Sequence, residues 1–326
     1  MKVVALSGGV GGAKFVHGLS QILSSDELTT IVNVGDDFSF LGLTICPDLD
    51  TVCYTLAGLA NSGTGWGRKD ETWNALETIS GLGGPAWFHL GDKDIGWHLL
   101  RTRMLQDGMT LSEVTSYFCK HHNIPYQVYP VTNDPVPTLV KTNDDKVLNF
   151  QDYFVRLGCR PAVAGFDFHN IEKSQPVPGV LDAIHDADIV VIGPSNPWVS
   201  IQPILNVPGI RKAIREKITI VISPVKGDKA FRGPAAKMYL EMGINPSAAA
   251  VAYHYKHIAT GIVIDKEDCD QMAAIEGWGI MVVSTDITMR DEKDRARLAS
   301  EVIKFYKQIE QEKFNDPLGN NSSKTT

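Results

Sequence analysis

Four glycines fall within five residues in the stretch Ser7-Gly8-Gly9-Val10-Gly11-Gly12-Ala13-Lys14, between the apolar run Val3-Val4-Ala5-Leu6 and the helical spacing of Phe15, Leu19, Ile22 and Leu23. This order predicts a buried strand, a glycine turn and a helix, the opening unit of a doubly wound α/β fold. Glycine lets a ligand approach the backbone closely, and the first N–H groups of a helix are unpaired donors in a positive field. Gly9, Gly11, Gly12 and Lys14 are therefore candidate phosphate-binding residues. Neither familiar phosphate loop is matched in full. A Walker loop ends in Gly-Lys-Ser/Thr, whereas Lys14 follows Ala13 and precedes Phe15. The dinucleotide fingerprint has Gly9 and Gly11, but Lys14 takes the place of its third glycine.

A second apolar run, Thr29-Thr30-Ile31-Val32-Asn33-Val34, completes a βαβ unit. Gly35-Asp36-Asp37 follows its carboxyl end, where open α/β sheets place ligand-binding side chains. Pro47-Asp48-Leu49-Asp50 adds two more carboxylates ahead of the helical run from Val52. Each of these aspartates has a plain alternative as a turn former or a helix cap. Together they make an oxygen-ligand cluster, and Mg²⁺ commonly takes one or two carboxylates plus substrate phosphate oxygens. The expected metal site is one that a phosphorylated substrate completes.

Further along, Trp66 and Trp87 stand in glycine-rich loops, where a flat ring can stack, and His89 and Asp92 join them in a polar cluster. Residues 109–118 predict a helix opened by Thr110, with Glu113 in the capping-box position. Residues 136–140 and 146–150 predict a β-hairpin within an insertion that runs to residue 178. The runs 187–192, 218–222, 248–253, 262–264 and 280–283 predict the remaining strands. Ser195 and Asn196 lie in a polar strand-end loop, and Lys226, Lys229 and Arg232 lie in the most basic loop, suited to clamping phosphates. The expected fold is a three-layer α/β/α, Rossmann-like doubly wound and mostly parallel sheet. Its core spans 1–135 and 179–312, with an inserted hairpin and helical subdomain at 136–178 and a polar, disordered tail at 313–326.

A net charge of −7 without a long Lys/Arg run argues against a general nucleic-acid surface. No run approaches the roughly 18 apolar residues of a membrane span. The first apolar run is too short for a signal peptide. Cys46, Cys53, Cys119, Cys159 and Cys269 are scattered, without zinc-site spacing. The expectation is a soluble cytoplasmic protein with reduced thiols; its size and class suggest a homodimer.

Taken in order, several stretches resemble the 2-phospho-L-lactate transferases (CofD type) of coenzyme F420 biosynthesis. They are Ser7 to Lys14, Asn33-Val34-Gly35-Asp36-Asp37, Pro47-Asp48-Leu49-Asp50-Thr51, His89-Leu90-Gly91-Asp92, Thr132 with Asp134, Pro137 and Thr138, Gly193-Pro194-Ser195-Asn196-Pro197, and residues 224–234. The resemblance implies transfer of a phospholactyl group, or in some members phosphoenolpyruvyl, from lactyl-2-diphospho-5'-guanosine or its enolpyruvyl counterpart to the ribityl hydroxyl of the deazaflavin Fo. GMP is released and Mg²⁺ is required. It also implies that Asp50 is the foremost metal or acceptor-contacting acid, with Asp36 and Asp37 less securely placed; Asp36 and Asp48 are the further metal candidates. His89 then lies near the deazaflavin, Asn196 and its neighbours near guanosine, and Lys226, Lys229 and Arg232 near the diphosphate. Two other readings stand beside it: a nucleotide-sugar-binding regulatory protein of the gluconeogenesis-factor-like family, and a Rossmann oxidoreductase, which Lys14 disfavours.

Overall fold

The computed structural model describes residues 1–61, 63–227, 229–230 and 235–315, without the side chains of 229, 230, 235, 236 and 313–315. Arg232 and most of the expected tail lie outside the described residues. Seven runs of apolar residues form the strands β1 (Val3–Ser7), β2 (Leu28–Val32), β3 (Gln127–Pro130), β4 (Ile189–Ile192), β5 (Ile218–Ile222), β6 (Gly261–Asp265) and β7 (Met281–Thr285). They pair in parallel, in the order β7-β6-β5-β4-β1-β2-β3. The chain winds outward from β1 to β3, then crosses back to β4 and winds the other way. Between β1 and β4 the winding reverses, leaving a crevice at the carboxyl ends of those strands.

Successive side chains on a strand point to opposite faces, so each central strand feeds two cores. Val3 and Ala5 face helix α1 (Gly9–Ser20) through Phe15, Val16 and Leu19. They also face the last helix through Leu298, Val302 and Ile309. Val4 and Leu6 face the other side, packed with Leu49 and Val52 of helix α2 (Pro47–Leu56). The same layer holds Trp97 of helix α3 (Asp92–Gln106) and Phe118 of helix α4 (Leu111–His121). Thr110 and Glu113 close the expected capping box at the start of α4.

The inserted segment forms an antiparallel sheet of Val147–Asn149, Thr138–Thr142 and Val163–Phe168, in that order. The third of these strands was not legible as a strand. Val140, Phe150, Tyr153 and Val163 join the apolar cluster on one face of the main sheet. The segment is fastened at its start, where the Thr138 N–H donates to the Gly35 carbonyl at 2.7 Å.

One expected strand is corrected. Residues 248–253 belong to a helix, Ala248–Tyr255, whose Ser247 hydroxyl accepts the Ala250 N–H at 3.0 Å. Its short apolar run is rich in alanine, the strongest helix former, and a serine cap decides between two readings that periodicity leaves open.

Helix α1 packs on α5 (Glu292–Asn315) with almost no clearance. A Cβ on Gly18 would lie 2.3 Å from the Arg295 carbonyl oxygen, a backbone atom that cannot swing aside. Gly18→Ala is therefore expected to destabilise the fold by about 1–3 kcal/mol. The check is a lowered denaturation midpoint with an unchanged m value; an unchanged midpoint would refute the contact.

Candidate active site

A cavity of about 880 Å³ opens over the crevice between β1 and β4. Its floor is the glycine turn, Gly8, Gly9, Val10, Gly11 and Lys14, met by Pro194, Ser195, Asn196, Val199 and Ser200 from the loop after β4. Gly9 has φ of +65°, a conformation that favours glycine. Two other glycines are required by packing. A Cβ on Gly11 would fall 2.3 Å from the Pro194 carbonyl oxygen, and one on Gly8 would fall 2.6 Å from the Ser200 Cβ. Gly12 lies lower, between the hydroxyls of Ser7 and Ser195, and does not line the cavity. Ser195 ties the turns together: its hydroxyl donates to the Gly8 carbonyl at 2.7 Å. Asn196 accepts the Trp198 N–H at 3.0 Å and so caps the following turn.

Asp36 and Asp48 form the acidic part of the wall. Asp48 accepts the Gly9 N–H at 2.6 Å, and Asn33 Nδ2 donates to Asp48 at 2.9 Å and to Asp36 at 3.1 Å. Burial pushes the Asp48 carboxyl up to about 6, against the hydrogen bonds from Asn33 and Gly9. Burial, and next the charge of Asp48, raise Asp36 above the usual carboxylate range. Both effects disfavour two adjacent negative charges and favour a cation between them.

Asp50 is placed differently from the expectation. It faces away from the cavity into a buried cluster, where Arg101 makes two contacts to it and Trp97 Nε1 donates to it at 2.8 Å. Burial works against the Arg101 charge, but the carboxylate beside it outweighs that and holds the guanidinium above its ordinary pKa. Burial lowers His98 to about 4, so the imidazole next to this pair is neutral. Both Asp50 oxygens are engaged by Arg101 and Trp97, and the residue is not on the cavity lining. Its role in the geometry is to fix α2, and with it Asp48.

The aromatic wall brings together Trp66, Trp87, Phe88 and His89. Trp87 and Phe88 are braced by Phe38 and Phe40, with centroid separations of 5.1 Å from Trp87 to Phe40 and 4.9 Å from Phe88 to Phe38. Trp66 is 47% exposed and sits beside His89. Opposite charges and rings from the sequence reading do not all arrive here. Asp92 instead caps the helix Asn74–Gly81, accepting from Thr72 Oγ1 at 2.6 Å and from the Ala75 N–H at 3.0 Å. Those hydrogen bonds lower it to about 2. Lys226 pairs with Asp265 at 3.4 Å and Glu267 at 3.1 Å, away from the cavity lining. The Lys229 side chain and Arg232 fall outside the described residues.

Other lining residues escaped the sequence reading. Phe150, Gln151, Phe154 and Val155 come from the inserted segment, with the Phe150 and Phe154 rings stacked at 5.4 Å. Residues 287–290 come from the loop after β7, and Lys14 Nζ donates to the Met289 carbonyl at 3.2 Å. Arg290, also on the lining, pairs with Asp286 at 2.8 Å and Asp294 at 2.7 Å. Among the described residues, Lys14 and Arg290 are the Lys and Arg side chains on the cavity lining. None of these positions carries a periodic or spacing signal that marks it in advance.

The family model described as 2-phospho-L-lactate transferase CofD matches residues 3–303. A phosphoenolpyruvate transferase of Streptomyces coelicolor is 40% identical over 316 residues, covering 95% of this chain and 99% of its own. One from Mycobacterium bovis is 39% identical, covering 91% and 96%. Among solved structures, a UPF0052-family protein of Bacillus halodurans superimposes with a TM-score of 0.61 over 93% of this chain and 100% of its own. At 19% identity that likeness shows the fold alone. Among the described residues no helix is long and apolar enough to cross a membrane.

The Asp50–Arg101 pair yields a direct test. Arg101→Leu leaves a buried carboxylate without its partner and is expected to cost about 3–5 kcal/mol, read as a lowered unfolding midpoint. Combining it with Asp50→Asn should recover part of that loss. A single-variant cost below about 1 kcal/mol, the range of an exposed pair, would count against the placement.

Proposed function

Because the chain belongs to the 2-phospho-L-lactate transferase CofD family, we propose that it transfers a phosphoenolpyruvyl or 2-phospholactyl group from a guanosine diphosphate-linked donor to the ribityl hydroxyl of the deazaflavin Fo, releasing GMP. The shared name of its relatives, phosphoenolpyruvate transferase, supports the enolpyruvyl donor. One observation carries the reading. A single cavity joins a glycine turn at a helix N-terminus, two adjacent carboxylates, two cations and two aromatic walls. Such a space matches a diphosphate at one end and flat rings at the other.

Phosphoryl transfer needs alignment and charge neutralisation more than covalent help from the protein. The glycine turn offers backbone donors to the donor's phosphates, and Lys14 and Arg290 add positive charge at the rim. Asp36 and Asp48 fit a Mg²⁺, because their carboxylates repel each other, face the cavity and leave the remaining positions to substrate oxygens. When bound there, Mg²⁺ supplies charge neutralisation on the diphosphate. Among the described residues no group of three or more His, Cys, Asp or Glu converges as a metal cage. Trp66, Trp87 and Phe88 present surfaces for the acceptor's ring system, with His89 beside them. An aspartate of the pair is the candidate to take the proton of the attacking hydroxyl.

The alternative of a nucleotide-binding regulatory protein is not favoured, since relatives near 40% identity along nearly the whole chain are named as transferases. The deciding assay follows GMP release from the enolpyruvyl and lactyl donors, with Mg²⁺, in the presence and absence of Fo. Acceptor-dependent release with a new phosphodiester of the deazaflavin is expected. Asp48→Asn should reduce it on the order of 100-fold or more. Tight guanosine-nucleotide binding without GMP release from either donor would overturn the transferase reading.

A further inference from the structure

Asn33 stands at the end of β2, fully buried, and is absent from the cavity lining. Its backbone N–H continues the sheet ladder to the Ser7 carbonyl at 3.0 Å. Its side-chain oxygen accepts the Gly35 N–H at 2.8 Å, and this fixes which way the amide faces. The NH₂ group then meets three acceptors: Asp36 Oδ1 at 3.1 Å, Asp48 Oδ2 at 2.9 Å and the Val199 carbonyl at 3.2 Å. An amide has two protons to give, so three elements compete for them. One carboxylate comes from the loop after β2, the other from α2, and the carbonyl from the turn after β4. A single buried group is thus the common reference point for parts of the chain far apart in sequence.

We propose that Asn33 is a positioning residue: its amide holds Asp36 and Asp48 side by side on the cavity wall so that they can share one divalent cation, without itself touching cation or substrate. The inference rests on the metal reading given under Proposed function. Carboxylates that ligate a metal are commonly oriented by such outer partners, whose loss lowers metal affinity about 10–100-fold. Asn33 also differs from an ordinary structural asparagine in what it holds. Its donors go to the two acids of the cavity wall, so their geometry, and not only the loop fold, depends on it.

The test is a Mn²⁺ titration, followed by electron paramagnetic resonance, of wild type, Asn33→Ser and Asn33→Leu. All are saturated with GMP and compared by melting temperature; GMP affinity is measured separately in EDTA. Serine keeps one donor in a smaller side chain, while leucine keeps the volume and removes all donors, so one folded variant suffices. The expected result is a Mn²⁺ dissociation constant raised about 10–100-fold. Metal-free GMP affinity should be unchanged, and lost turnover should recover as Mg²⁺ is raised. Asp36→Asn should weaken Mn²⁺ as well, and adding Asn33→Ser to it should weaken binding by less than the product of the single effects. Wild-type Mn²⁺ affinity in a folded Asn33 variant would overturn the proposal. Failure of the wild type itself to bind Mn²⁺ would overturn the metal reading, and this inference with it.

Discussion

Two turns from opposite ends of the winding meet in van der Waals contact at the boundary of β1 and β4, and the cavity exists because they do. Gly8 and Gly11 have no side chain to hold the Pro194–Ser200 stretch away. The Ser195 hydroxyl then bonds the Gly8 carbonyl, which locks the approach. A methyl group at either glycine would collide with backbone or with a Cβ, atoms that cannot rotate out of the way. The usual account of a glycine turn, room for a phosphate, is only part of what these residues do. They also let one half of the sheet close against the other.

Helical geometry explains how two aspartates separated by one residue come to have unrelated surroundings. Positions i and i+2 of an α-helix lie roughly 200° apart around the axis. Asp48 at the start of α2 therefore turns to the cavity, and Asp50 turns to Arg101, Trp97 and His98. The cavity-facing acid is held by a backbone N–H and an amide; its neighbour is neutralised by a guanidinium. The same short motif supplies one buried acid on the cavity wall and another that anchors the helix carrying it.

The sheet was readable because fully buried parallel strands leave continuous apolar runs, and the glycine turn was readable because its composition is rare. The Thr110 and Glu113 cap was equally plain. What failed was legible only through contacts. Ala248 to Tyr255 was ambiguous because short apolar runs satisfy both periods. Asp50 stands foremost by resemblance, and nothing local in the sequence shows that α2 starts at Pro47 and turns this acid to Arg101. Phe150 and Phe154 could not be assigned, since nothing local tells which surface an inserted segment will cover. Asp92 shows the converse: a carboxylate in a promising motif that is spent on capping a neighbouring helix.

The pairing of β1 also sets a timetable for the chain. Val3 lies opposite Leu28 on one side and opposite Ile189 on the other. The first partner is made almost at once, but the second is made roughly eight to thirty seconds later at ordinary elongation rates. Until then one edge of the central strand has no neighbour, and unpaired edges invite association with other chains. The cavity floor, built from both sides of that edge, cannot form before Ser200 has been made.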